Sequence, residues 1–504
     1  MCSSSSSPSN SSPARANGSR SSRNCANCRI VKRRCDKQVP HCGQCVRLRE
    51  KCPGYRDEWE LIFRDQTNHT IIRSTRNVER SSPGKKSPSL TSGRLSQSPE
   101  EIGVNYFLNN FVIPGRGYLN YIPYMINAEY DCPCLIASMA AVGLMALAGS
   151  AQQPDLINRA HTTYSEAIRH LNTALASPLE SVKDQTLMSA ISLGLFEHMS
   201  NFESWARHVQ GAAALVVARG KRQFHSTAAI HMFNQVRADM VVVCFHTNKA
   251  FPVDLLALQE EANYHPDSSS SFYQLGVLAT RCVNLCWTVQ NNKEIEWSNL
   301  LHEVNSIERG FQRITRVLSA DEAYEVFSAT NGDCRLIYNS RFDIYKSNWG
   351  MRVWNSSRKL QLKVYEATCV LLSKAIMEQP VPQIQAHLKQ RLEETWERLA
   401  KLGDDLIATV PQALGLVSSA NRPSVDSSLP ISVSGGYMLT WSLYTAGKSS
   451  VISGKTRQWI IRCLDNIANA AGIKMALQLV EDIRELDQLA GPDSLVSRSI
   501  PYFR

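Results

Sequence analysis

The stretch CANCRIVKRRCDKQVPHCGQCVRLREKC, residues 25–52, decides how this chain is read. Its cysteines, Cys25, Cys28, Cys35, Cys42, Cys45 and Cys52, follow the pattern C-x2-C-x6-C-x6-C-x2-C-x6-C, two Cys-x2-Cys-x6-Cys halves joined by a six-residue loop. Three chemistries compete for thiols packed this closely: a disulfide knot, a redox dithiol and a metal site. A chain of 504 residues can bury a large core without disulfide staples. The opening residues MCSSSSSPSNSSPARANGSR lack the apolar stretch of a secretory signal, so a cytosolic or nuclear protein with reduced thiols is expected. A Cys-x2-Cys pair can bring two sulfurs onto one ion, and a third thiolate further along can close on it. Two tetrahedral zinc ions need eight metal–sulfur bonds of roughly 2.3 Å. Six cysteines supply six unless two of them bridge.

The spacing closely resembles the binuclear zinc cluster of fungal transcription factors, the Zn(II)2Cys6 family. The match includes Arg29 after the second cysteine, Lys32, Arg34, Cys35 followed by Asp36, and Pro40 between the halves. The resemblance implies a small metal-stabilised module of two short helix-loop halves holding two Zn²⁺. One ion would take Cys25, Cys28, Cys35 and Cys42, and the other Cys25, Cys42, Cys45 and Cys52. It also implies that Lys32 reads the guanines of a CGG-like triplet, as a cation offered to G O6 and N7 would. Arg29, Arg33, Arg34, Arg47, Arg49 and Lys51 are expected on phosphates, setting register. Six thiolates and two Zn²⁺ carry a formal charge of about −2, which helps the cations of this stretch tolerate their crowding. A short helix over Cys28–Cys35 is expected as the probe of the major groove. Val31 departs from the family pattern, in which a second basic residue is common there. His41 is read as a loop residue.

Charge supports a polyanionic partner for this end of the chain. Residues 1–100 carry 19 Lys+Arg against 8 Asp+Glu, while residues 101–504 carry 36 against 37. Double-stranded DNA is the first candidate. The expected organisation is a disordered Ser-rich tail (1–22), the zinc module (23–64), a flexible Ser/Pro-rich linker (65–100) and a large all-α regulatory domain (101–504).

Helical periodicity recurs over 155–176, 179–199, 203–219, 228–248, 296–318, 358–378, 386–409 and 456–485. CPCLIASMAAVGLMALAGSA, residues 132–151, is long and uncharged, but its Ala, Ser and Gly content reads as a buried core helix, and no membrane partner is expected. Trp205, His208, Gly211, Ala212, Leu215 and Arg219-Gly220 resemble the W-x2-H-x2-G-A-x2-L pattern of the helical domain of fungal zinc-cluster factors, and RCLDNIANAAGIKMA (462–476) resembles its C-terminal region. Trp205 and His208 are read as core residues.

No catalytic motif stands out. Gly447-Lys448-Ser449 and Gly454-Lys455-Thr456 lack the first glycine of a phosphate loop, Ser442 and Ser449 standing there instead. The Cys132/Cys134 and Cys282/Cys286 pairs read as core thiols. The expectation is a nuclear, zinc-dependent transcription regulator and not an enzyme, working with co-regulators or the transcription machinery. The alternative is an interaction protein whose zinc module docks other proteins. Residues 58–75 do not sustain three heptads, which leaves a monomer and a homodimer both open.

Overall fold

The computed structural model describes residues 24–38, 40–54, 97–112, 119, 122, 132–151, 153–292, 296–329, 335–418, 424–426 and 428–489. The Ser-rich tail at 1–22, most of the expected linker and the stretch at 58–75 lie outside the described residues. The chain divides into two units, Met1–Arg94 and Leu95–Arg504.

In the first unit, α1 (Ala26–Ile30) and α2 (Gly43–Arg47) are helices of five residues each. Helices this short do not persist alone in water, and the buried cluster between them consists of the six cysteines. The helix expected over Cys28–Cys35 stops at Ile30. Had it continued, Cys35 would stand about 10 Å along the axis from Cys28, too far for one ion. The chain instead reverses at Lys32, whose φ of 52° lies in the left-handed region.

The second unit is helical among its described residues, apart from two small antiparallel pairs. Its first half runs α3 (Pro99–Phe107), α4 (Pro133–Ala151), α5 (Pro154–Ala176), α6 (Asp184–His198), α7 (Phe202–Arg219), α8 (Thr227–Thr247), α9 (Val253–Ala262), α10 (Ser271–Asn291) and α11 (Trp297–Asp321). The hairpin β1 (Tyr324–Ser328) and β2 (Arg341–Tyr345) follows, then α12 (Asn348–Glu378), α13 (Pro382–Ile407), α14 (Val410–Ala413) and the two-residue pair β3 (Val417–Ser418) and β4 (Ser424–Val425). The unit closes with α15 (Val433–Gly447), α16 (Gly454–Ala470) and α17 (Met475–Leu489). Side-chain caps start many of these helices. Ser98 forms a capping box with Glu101, and Asn201, Ser226, Ser270, Ser347, Ser432 and Ser453 each accept a backbone N–H of the first turn.

Helix α4 packs against α3, α5 and α6 and is mostly buried, although its length and apolarity would suffice to cross a membrane. Its small residues have a structural reason. A Cβ on Gly143 would stand 1.8 Å from the carbonyl oxygen of Gly103 on α3, and one on Gly149 would stand 2.7 Å from the Cα of Gly472. Backbone meets backbone at both crossings. Gly143→Ala is therefore expected to destabilise the second unit by about 3 kcal/mol, the upper end for overpacking. Urea unfolding measures this, and an unchanged midpoint would mean that the helices separate at no cost.

Some expected helices have different limits. The segment expected over 456–485 is broken between Ala470 and Met475, where Gly472 takes φ 75° against Gly149. Helix α12 begins ten residues before the expected 358, because the Ser347 hydroxyl accepts the Gly350 N–H at 2.8 Å and starts it there. The β1–β2 hairpin was not expected; its strands are five residues long, and buried Asp343 interrupts the apolar pattern, held by Arg341.

Trp205 and Ala212 of this motif are in the core, His208 is partly buried and Gly211 is exposed. Trp205 packs at 5.6 Å from His198 and 5.4 Å from Trp441. His208 Nε2 lies 2.9 Å from the Tyr164 hydroxyl, which donates to Glu197 at 2.6 Å, so one polar chain joins α5, α6 and α7. Burial lowers the His208 pKa. The two phosphate-loop-like tripeptides lie at helix ends: Gly447 closes α15 and Gly454 opens α16. The Arg457 guanidinium donates to the carbonyls of Gly447 and Ser449 at 2.9 and 3.0 Å, so this corner is already satisfied by protein.

Candidate metal centre and nucleic-acid interface

Cysteines seventeen positions apart occupy equivalent places in the first unit, and the backbone repeats with the same offset. Helices α1 and α2 begin seventeen residues apart. The Val31 N–H donates to Asn27 O at 3.1 Å, as Leu48 N–H does to Gln44 O at 3.2 Å; Arg33 N–H donates to Cys28 O at 2.9 Å, as Glu50 N–H does to Cys45 O at 2.9 Å. Lys32 and Arg49 share left-handed φ values of 52° and 53°, and Lys37 and Gly54 values of 60° and 85°. A non-glycine residue held there costs about 1–2 kcal/mol. Something must hold both turns against that cost, and the buried sulfurs are what the turns enclose.

The sulfurs of Cys25, Cys28, Cys35 and Cys42 all lie within 4.8 Å of one another, and those of Cys25, Cys45 and Cys52 form a second group. Contacts of 3.7 Å (Cys25–Cys45), 3.6 Å (Cys28–Cys42) and 3.5 Å (Cys35–Cys42) run through the cluster. A tetrahedral ion with bonds of roughly 2.3 Å separates its sulfurs by about 3.8 Å, so the spacing fits zinc. Cys25 belongs to both groups. Cys42 belongs to the first, and the second gathers three sulfurs without it. Burial pushes the Cys25 thiol up, so a sulfur in that place keeps its proton unless a cation displaces it.

The cations around this centre are not equivalent. Arg33 was expected to face phosphate, but its guanidinium ion-pairs with Glu50, its offset partner in the other half. It also reaches the sulfurs of Cys28 and Cys45 at 3.3 and 3.5 Å. The Glu50 carboxylate, followed by the Cys28 sulfur, holds Arg33 above its ordinary pKa, and Arg33 in turn lowers that of Glu50. Arg33 thus joins the two halves. The Gly43 N–H donates to the Asp36 carboxylate at 2.9 Å, and a Cβ on Gly43 would lie 2.4 Å from that carboxylate.

Lys32, Arg34, Arg47, Arg49 and Lys51 are exposed, Arg47 only loosely associated with Asp36 at 3.9 Å. The Arg29 side chain lies outside the described part. Ile30 and Val31, and Val46 and Leu48 in the other half, are also exposed. Nothing in the cysteine pattern announces the roles of Glu50 and Asp36. The available signal was the seventeen-residue offset, which sets an acid, Glu50, at the counterpart position of a base, Arg33.

Comparison with known proteins agrees with this geometry. Residues 23–59 match the fungal Zn(2)-Cys(6) binuclear cluster domain, and residues 118–247 match the fungal specific transcription factor domain. The uncharacterized protein AN5342 of Emericella nidulans is 25% identical over 189 residues, covering 32% of this chain and 39% of that protein's length. No solved structure matches the chain. Residues 23–59 are therefore a fungal Zn(2)-Cys(6) binuclear cluster domain with two zinc ions as its cofactors, followed in the same chain by a fungal specific transcription factor domain.

Proposed function

We propose that the protein is a nuclear, zinc-dependent, sequence-specific DNA-binding transcription factor that recognises CGG-like triplets in the major groove. The zinc module, taken as residues 23–64, contacts double-stranded DNA, and residues 101–504 form the regulatory part through which co-regulators or a second copy act. The chain is assigned no catalytic role. One observation carries the reading: exposed Lys32 stands in a left-handed turn directly after α1, in a module whose fold is built on buried sulfurs. Such a turn sets where the Cα–Cβ bond of Lys32 leaves the module, and its flexible stem can carry a point cation to the O6/N7 edge of guanine. Exposed Arg34, Arg47, Arg49 and Lys51, together with Arg29, supply phosphate contacts that set register.

Lys32→Ala is expected to weaken binding to a duplex containing CGG by roughly 1–3 kcal/mol while scarcely changing affinity for a scrambled duplex. Equal losses on both would remove the base-reading role. The exposed Ile30, Val31, Val46 and Leu48 favour a second reading, in which the module docks another protein through an apolar face. Failure of the zinc-loaded chain to bind any duplex at low salt would select that reading.

A further inference from the structure

The second unit encloses a cavity of about 370 Å³ between α8, α10, α12 and α15. That is within the size range of small-molecule sites, and its lining is unusual in charge. Lys359 and Lys363 project from the middle of α12, Lys448 follows the end of α15, and exposed Lys249 follows the end of α8. The carboxylate among the lining residues is Glu366, 3.3 Å from Lys363 Nζ. Four lysines therefore share one lining acid.

The remaining wall is apolar and aromatic. Trp441 and Tyr444 of α15 are largely buried there, Trp287 of α10 is partly exposed, and Val242 and Val370 face in from α8 and α12. Ammonium groups drawn into such a space repel each other and lose hydration. Burial, and then the nearby Arg352, pushes Lys359 down to about 8 despite the opposing pull of Asp239. Burial likewise lowers Lys448, with Lys363 adding to the effect and Asp482, Glu485 and Glu366 opposing it. An anion entering between these lysines would relieve that repulsion, and aromatic walls would take up an apolar body.

We propose that this cavity binds a small amphipathic organic anion, its acidic group between Lys359, Lys363 and Lys448 and its apolar part against Trp441, Tyr444 and Trp287. The site is independent of the DNA-binding reading, because every residue in it belongs to the second unit. The test uses the full zinc-loaded chain and two fluorescent probes of similar shape, the anion 8-anilinonaphthalene-1-sulfonate and the neutral N-phenyl-1-naphthylamine. The expected result is saturable one-to-one binding of the anion, at least tenfold tighter than the neutral probe. Lys359→Met with Lys363→Met should weaken the anion about tenfold and leave the neutral probe within twofold. Val242→Trp, which fills the space, should weaken both. The proposal is overturned if the neutral probe binds as tightly as the anion, if the lysine variant keeps full affinity for the anion, if Val242→Trp leaves both affinities unchanged, or if no binding saturates. Should the double variant fail to fold, the two-probe comparison on the unaltered chain and on Lys448→Met decides in the same way.

Discussion

Stripping zinc from the full chain is expected to abolish DNA binding while the helical unit keeps its fold and its thermal transition. Among the described residues of the first unit, little besides the sulfur cluster holds the turns together. Its helices are five residues long, its buried cluster consists of six cysteines, and Lys32, Lys37 and Arg49 sit at left-handed φ values. Structural zinc contributes an apparent ~10–16 kcal/mol to small metal-folded peptides at neutral pH. Neither the Arg33–Glu50 ion pair nor the Gly43–Asp36 hydrogen bond approaches that figure, because solvent screens both. The second unit packs a separate apolar core. Titrating a chelator, with zinc measured by atomic spectroscopy, DNA affinity by anisotropy and helix content by circular dichroism, should show affinity falling with the metal and ellipticity largely retained. Full affinity at zero zinc would refute the metal-built module, and so would failure of re-added zinc to restore it.

Raising salt from 50 to 200 mM should weaken DNA binding by about 500-fold. The figure follows from counterion release, in which each neutralised phosphate contributes about −0.9 to the slope of log K against log[salt]. If Arg29, Arg34, Arg47, Arg49 and Lys51 make the five phosphate contacts proposed above, a slope of about −4.5 is expected for one module on one half-site. Counting Arg33 as a sixth would steepen it to about −5.4. Its guanidinium is held by Glu50 and two cysteine sulfurs, so it should not contribute. The two counts separate experimentally: Arg34→Gln should flatten the slope by about 0.9, whereas Arg33→Gln should leave the slope unchanged and hasten zinc loss to a chelator. A flatter slope for Arg33→Gln, with unaltered zinc retention, would return that residue to the phosphate-contacting set.

The two-part metal module is legible in the sequence because thiolate coordination depends on residue type and interval, both visible in residues 25–52. The large helical region is legible because amphipathic periodicity persists through α5, α11 and α13 whatever their neighbours. Other features depend on partners distant in the chain. Whether Arg33 faces DNA or the cluster turns on a carboxylate seventeen residues away, and Glu50 looks like any surface acid when read alone. Ending the helix at Ile30 is a consequence of geometry: the third thiol must come back to the first two, and no local propensity encodes that return. The break at Gly472 is likewise imposed by its contact with Gly149. Glycine is common enough that neither position stands out before the fold is seen. The basic cavity assembles lysines from the ends of α8 and α15 and the middle of α12, which no linear window brings together.

The contact between Gly149 and Gly472 also bears on what a shortened molecule would lose. The Lys474 N–H donates to Met199 O at 3.0 Å and the Gln478 amide oxygen accepts the Phe202 N–H at 2.9 Å, so the segment after Gly472 is stitched to the turn between α6 and α7. A molecule cut short before this seam would leave the Gly149 end of α4 and the turn between α6 and α7 without their cover, while the rest of α4 stays packed among α3, α5 and α6.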